Sequence, residues 1–291
     1  MIWELVRALR PKQWTKNVVI FAGLVFDAKL SNTTYLLHTV VGCVAFCFVS
    51  GAVYLINDLT DIEKDRQHPR KRHRPLASGR LPAPVAQLAV VVILLVCLPV
   101  SFGLDPLFGV IVSAYLSLQI AYSFVLKNVV IVDVLTIAAG FVLRVAGGTV
   151  LVDAERFSPW LYVCIVLLAL FMGLSKRRGE LVLLQGNANH HRATLEEYSL
   201  PLLDEMISVV TAATVLAYAL YTFDPGNPHL PPNGAMMLTI PFVLYCIFRY
   251  LYLIHQKGET DPPDAVLLKD RPLQIAIGLW GLTALLVLYL F

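Results

Sequence analysis

Residues Tyr35–Ile56 read YLLHTVVGCVAFCFVSGAVYLI, and the next nine, Asn57–Asp65, read NDLTDIEKD. The first stretch carries no Asp, Glu, Lys or Arg and matches the ~20 apolar residues a helix needs to cross a hydrocarbon core. The second is a dense set of hard oxygen ligands. Helical continuation places Tyr54, Asn57, Asp61 and Asp65 on one face at spacings of three, four and four, with Asp58 beside them. At the wet end of a membrane helix such a set suits Mg²⁺. That ion takes one or two carboxylates and leaves the rest of its shell to water and phosphate oxygens. The plainer reading is a solvated acidic helix end.

Outward from this stretch the whole chain follows the same pattern. Of its 291 residues 57% are hydrophobic and 15% charged, against about 25% charged in a soluble domain. Further apolar runs lie at 17–30, 85–104, 106–125, 129–151, 159–175, 204–223, 235–255 and 272–291. With 35–56 they make nine spans, the run at 17–30 being the shortest. The predicted fold class is therefore all-α, a polytopic membrane protein. It reads as one domain over 1–291, with polar segments 57–84, 176–203 and 256–271 capping one mouth of a bundle.

Charge placement sets orientation, because short cytoplasmic loops are enriched in Lys and Arg. Residues 57–84 hold Lys64, Arg66, Arg70, Lys71, Arg72, Arg74 and Arg80. The loop after the sixth span holds Lys176, Arg177, Arg178 and Arg192, and the last loop holds Lys257, Lys269 and Arg271. The alternate loops are nearly bare, with Arg156 alone after span five. The N-terminus, with Arg7, Arg10, Lys12 and Lys16, joins the basic side and is predicted cytoplasmic in a cell inner membrane. Nucleic acid is excluded as a partner, because the cations sit between hydrophobic spans rather than along one solvated face. The net charge of only +3 agrees.

Other features are read conservatively. All five cysteines (Cys43, Cys47, Cys97, Cys164, Cys246) fall in apolar runs and act as small hydrophobes. Trp3, Trp14 and Trp160 read as interfacial anchors, and the pair His190-His191 as loop surface. The amphipathic N-terminus lacks the apolar core of a cleavable signal.

The acidic stretch runs into His68-Pro69-Arg70-Lys71-Arg72-His73-Arg74-Pro75-Leu76-Ala77-Ser78-Gly79. Positive-inside topology accounts for basic residues there. Alternatively, Lys71 and Arg74 neutralise phosphate charge, Arg through its bidentate fork. The two segments together resemble the first aspartate motif of the UbiA superfamily of intramembrane prenyltransferases. The resemblance implies nine helices around a central cavity and a Mg²⁺-held diphosphate on the cytoplasmic side. Members with an isoprenyl diphosphate donor carry a second D-x-x-x-D motif after helix six. Here that loop offers Glu180, Glu196, Glu197 and Asp204, not at that spacing.

Other segments resemble the phosphoribosyltransferase branch. These are Arg10-Pro-Lys-Gln-Trp-Thr-Lys16-Asn17, Tyr122-Ser-Phe-Val-Leu-Lys127, Asp133, Gly140-Phe-Val-Leu-Arg144, Lys176-Arg177-Arg178-Gly-Glu180 and Leu268-Lys269-Asp270-Arg271. That likeness implies Mg²⁺-dependent transfer of 5-phosphoribose from phosphoribosyl diphosphate (PRPP) to a polyprenyl (decaprenyl) phosphate. The product would be a lipid-linked pentose precursor for cell-wall polysaccharide. Asn57, Asp61 and Asp65 would hold the metal, and Asp58, Asp61 and Asp65 form the catalytic carboxylate set. Lys16, Tyr54, Lys71, Arg74, Tyr122, Lys127, Arg144, Lys176 and Arg177 would bind substrate. Arg144 stands out physically. It lies about fifteen residues into its span, roughly 20 Å by helical rise, and a guanidinium at such depth marks a functional site. Pairing with Asp133, eleven residues earlier, is the structural alternative. The partners are then PRPP, polyprenyl phosphate and the bilayer, and a homo-oligomer is left open. The rival readings are an isoprenyl-diphosphate prenyltransferase with an aromatic or haem acceptor, and an anion transporter.

Overall fold

The computed structural model describes residues 1–67, 71–154, 158–184, 193–231 and 233–290. The expectations placed on Arg70, Arg156, His190, His191 and Arg192 lie outside them. Among the described residues all regular structure is helical. Eight helices are long and apolar enough to cross a membrane: α3 (Thr33–Thr60), α5 (Ala83–Leu104), α6 (Pro106–Phe124), α7 (Val132–Leu151), α8 (Pro159–Leu184), α10 (Leu200–Thr222), α11 (Ile240–His255, with a 3₁₀ lead-in from Ala235) and α13 (Arg271–Leu290). Short helices α1 (Ile2–Ala8), α2 (Phe21–Phe26), α4 (Ile62–Gln67), α9 (Ala193–Glu196) and α12 (Pro263–Lys269) complete the series.

The starts of these helices follow local chemistry. Asn32 caps α3, its side chain accepting from the backbone N–H groups of Thr34 and Tyr35 at 3.0 and 3.3 Å. Asp105 caps α6 through the Phe108 N–H at 2.9 Å, with Pro106 at the first helical position. Ser199 and Pro201 start α10 in the same way. A short polar acceptor satisfies an orphan N–H, and proline there forfeits no hydrogen bond.

The run expected as the first span takes an unusual form. Pro11–Ile20 is a ten-residue 3₁₀ helix and α2 follows it. At ~2.0 Å per 3₁₀ residue and ~1.5 Å per α residue, Pro11–Phe26 reaches about 29 Å, close to the ~30 Å hydrocarbon thickness. Fewer residues therefore cover the distance.

Two further expectations are corrected. Helix α3 ends at Thr60 rather than running through Asp65. Asp61 forms a one-residue break at φ −103°, ψ 12° before α4. The hydrogen-bond ladder still bridges it, from Asp61 N–H to Asn57 C=O (3.0 Å) and from Asp65 N–H to Asp61 C=O (2.8 Å). The acidic residues therefore keep roughly helical spacing across a kink. Residues 176–184, assigned above to a loop, belong to α8. An i,i+3 pair between Arg177 and Glu180 supports that extension.

The chain packs as two compact units. The first comprises Met1–Val25, Lys29–Val125 and Leu143–Ala154; the second comprises Phe26–Ala28, Leu126–Val142 and Glu155–Phe291. In the first, Ile20, Phe46, Val49, Phe108, Val112, Tyr115 and Leu151 form a buried cluster. Gly148 lets the 3₁₀ segment approach closely, since a Cβ there would collide with the Ile20 carbonyl oxygen. In the second, Phe171 and Tyr250 meet edge to face at 5.0 Å among Val134, Leu174, Leu203 and Ile207. Large apolar side chains also cover the outside: on α5, Leu88, Val91, Val92 and Leu95 are exposed, Leu95 to 70%. Their i,i+3,i+4,i+7 spacing makes a continuous lipid-facing stripe, as an integral multi-pass membrane protein requires.

Candidate active site

In the first unit, the end of α3, the kink at Asp61, α4 and the basic turn after it form one charged cluster. Asp58 is only 2% exposed. Its Oδ1 accepts from Arg10 Nη2 at 2.6 Å and from Arg74 Nη1 at 3.1 Å. The same Arg74 nitrogen donates to Asp65 Oδ2 at 2.6 Å, so one guanidinium ties two carboxylates together. Lys71 Nζ lies 4.0 Å from the other Asp65 oxygen, and the Arg10 guanidinium lies over the Tyr54 ring, 4.7 Å from its centroid.

Arg74 is held there by its apolar neighbours. Leu76 and Leu81 bury against Ala8, Leu9, Leu55 and Ala86, and Gly79 turns the chain at φ 75°, where a side chain would be strained. A cavity of about 250 Å³ opens beside these groups, lined by Arg7, Ala8, Arg10, Asp58, His73, Arg74 and Pro75. Three arginines against one carboxylate make it a site for anions.

Among the described residues no three His, Cys, Asp or Glu side chains are gathered as a ready metal cage. The donor chemistry nevertheless fits a Mg²⁺ ion carried in on a diphosphate. Asn57 lies one turn before the kink and the half-buried Asp61 stands at it, and such an ion needs only one or two protein carboxylates. Asp65, the third expected ligand, lies against Arg74 and Lys71.

Arg144 is 7% exposed. Its Nε donates to Asn17 Oδ1 at 2.7 Å and its Nη2 to Tyr115 Oη at 2.8 Å, with the guanidinium 4.6 Å from the Tyr115 ring centroid. Asn17, fully buried, turns its amide nitrogen to Cys47 Sγ and Ser50 Oγ. The fork of an arginine is thus positioned by an amide and a phenol. Lys16 neighbours Asn17 on the 3₁₀ segment and is half-buried, as is Tyr122 near the end of α6.

The second unit holds a different constellation. Asp133, fully buried, accepts from Arg177 Nε at 2.7 Å and from Tyr198 Oη at 2.9 Å. Arg177, 1% exposed, also reaches Glu180 at 2.5 Å. Asp133 thus partners Arg177 on α8 rather than Arg144 on its own helix. Arg177, expected among the substrate ligands, takes part in this buried ion pair. Lys127 stands half-buried in a 3₁₀ turn, Leu126–Asn128. Lys176, also half-buried, makes no ion pair among the described residues.

The sequence reading passed over Tyr115 and Tyr198, and quoted Asn17 without a role. Asn17 and Arg144 are 127 positions apart, and no periodicity links them. Arg10 did carry a signal, as the first residue of the quoted Arg10–Asn17 segment.

Comparison with known proteins places the chain in a family. Residues 17–271 match the model of the UbiA prenyltransferase family. The decaprenyl-phosphate phosphoribosyltransferase of Corynebacterium glutamicum is 32% identical, covering 98% of this chain and 87% of the relative. Its namesake in Mycolicibacterium smegmatis is 31% identical over 96% and 91%. Among solved structures, a UbiA homolog from Archaeoglobus fulgidus bound to GPP and Mg²⁺ superposes with a TM-score of 0.75 over 98% of this chain and 99% of that one. At 19% identity that likeness speaks for the fold. The chain is a member of the UbiA prenyltransferase family.

Proposed function

We propose that the protein transfers the 5-phosphoribosyl group of PRPP to a polyprenyl phosphate, decaprenyl phosphate by analogy with its relatives, and releases diphosphate. The observation that carries this reading is the near-full-length likeness to two proteins named for that activity. Two features of the chain support it. The loop after α8 lacks a second D-x-x-x-D motif. Cations also outnumber carboxylates around the first motif, as a donor with two phosphorylated positions and a phosphorylated acceptor would require.

Asn57, Asp61 and Asp65 would hold Mg²⁺, which when bound withdraws charge from the departing diphosphate. Arg74, anchored on Asp58 and Asp65, orients those carboxylates and offers its remaining donors to phosphate. Arg10 and Lys71 add fixed positive charge, and Tyr54 faces the same cluster. The bond from ribose C1 to the diphosphate oxygen breaks, the electron pair leaving with diphosphate. A bond forms from C1 to an oxygen of the acceptor phosphate. That phosphate is already an anion, so no side chain need remove a proton. The residues position the reactants and stabilise charge. Lys16, Tyr122, Lys127, Arg144 and Lys176 are the remaining candidate ligands for the substrates. In this reading the site faces the cytoplasm of a cell membrane crossed nine times, counting Pro11–Phe26 as the first span.

Ligand-dependent thermal stability tests the donor assignment. PRPP should raise the melting temperature, and only with Mg²⁺, since a ligand that binds the native state alone stabilises it by mass action. Geranylgeranyl diphosphate should do so much less. Stabilisation by that diphosphate and none by PRPP would overturn the assignment in favour of an isoprenyl donor.

A further inference from the structure

We propose that Tyr198 is a positioning residue for this reaction, a buried phenol that holds the turn carrying Lys127 and the helix carrying Lys176 in one hydrogen-bonded frame. The inference rests on the reading above, in which those two lysines meet substrate phosphate.

The turn between α6 and α7 ends in a strained residue. Ile131 has φ 67°, a left-handed conformation that β-branched side chains avoid because Cβ meets the backbone. Its own side chain does not anchor it, being 45% exposed. Its N–H does, donating to Tyr198 Oη at 2.8 Å. The same hydroxyl donates to Asp133 Oδ1 at 2.9 Å, and the other oxygen of that carboxylate takes Arg177 Nε at 2.7 Å. One phenol therefore acts at once as acceptor for the strained turn and donor to the buried ion pair.

Burial, with Asp133 close by, pushes the Tyr198 hydroxyl up to about 12, so its proton stays in place at neutral pH. Lys127 sits four residues before Ile131, and Lys176 immediately precedes Arg177. The turn and the helix are thereby joined through Tyr198 and Asp133. Strain that persists because its surroundings over-determine it is a feature of functional sites. A tyrosine that merely filled the core among Val134 and Leu203 would not need both contacts.

The test uses the full-length protein in detergent and the variant Tyr198→Phe, which keeps the ring and removes the hydroxyl. KM for PRPP should rise on the order of tenfold with kcat little changed, as expected for lost binding contacts rather than lost chemistry. Hydrogen exchange over residues 126–133 should show the Ile131 amide losing protection. Adding Ile131→Gly should restore KM to within about twofold, because glycine adopts positive φ without a clamp. A wild-type KM in Tyr198→Phe overturns the proposal, as does a loss that Ile131→Gly does not repair. If wild-type protein turns over no PRPP, the proposed function fails. The exchange measurement then decides the clamp alone, and retained Ile131 protection in Tyr198→Phe refutes it.

Discussion

Replacing Arg177 by Met should destabilise the protein without touching substrate. The guanidinium lies 2.7 Å from an Asp133 carboxylate that is fully buried, while its second partner, Glu180, is 35% exposed on its side chain. Losing the Glu180 contact matters little, because a half-solvated carboxylate recovers water. Losing the Asp133 contact strands a buried charge, which typically destabilises by about 3–5 kcal/mol. The Tyr198 hydroxyl remains on Asp133 but is one neutral donor against a full charge. At ~2–4 °C per kcal/mol the melting temperature should fall on the order of 10 °C. The double variant Arg177→Met/Asp133→Leu should recover most of that loss, since a buried ion pair replaced by apolar groups is often neutral. Thermal unfolding in detergent without ligand reads this directly. A melting temperature within about 1 °C of wild type for Arg177→Met, with PRPP turnover abolished, would return Arg177 to the substrate ligands.

Three further outcomes are expected. Asp61→Asn should abolish turnover while leaving melting temperature nearly unchanged, because it removes metal charge at the kink rather than packing; normal activity at low Mg²⁺ contradicts the metal assignment. Arg144→Lys keeps the charge but cannot reach both Asn17 and Tyr115, so kcat/KM should fall roughly 10–100-fold; kinetics with PRPP varied check it, and wild-type values refute a role for the fork. The hydrogen bond and charge of Arg249, with the Leu273 N–H, hold Asp270 below the usual carboxylate range. A depressed folded pKa means that Asp270 stabilises the fold above its unfolded value, ~3.9, and that this contribution disappears as pH falls through the lower folded value. Asp270→Asn should therefore flatten the acid limb of the stability curve and lower the plateau above pH 5. Identical curves for variant and wild type would contradict the pairing.

The long spans were legible because a hydrocarbon core demands ~20 apolar residues whatever the neighbours do. The run at 17–30 was harder, since its extended reach comes from a 3₁₀ geometry that no pattern of apolar residues announces. The acidic motif was legible as chemistry, because Asn57, Asp58, Asp61 and Asp65 are local in sequence. Its occupancy was not: Arg10 reaches Asp58 across 48 residues, and the capture of Asp65 by Arg74 depends on a turn buried by Leu76 and Leu81. Charge runs mislead when a helix carries them inward. Lys176, Arg177 and Arg178 read as one basic patch, yet only Arg177 is buried, and its partner, Asp133, was weighed only against Arg144 on its own helix.

Label transfer from donor to lipid tests the central claim most directly. Purified protein is supplied with PRPP radiolabelled in the ribose, Mg²⁺ and decaprenyl phosphate, and the lipid fraction is counted after extraction. The proposed reaction predicts label in the lipid that requires all three components and appears with one equivalent of diphosphate. Label that stays wholly in the aqueous phase, while geranylgeranyl diphosphate is consumed in a parallel reaction with an aromatic acceptor, would contradict it.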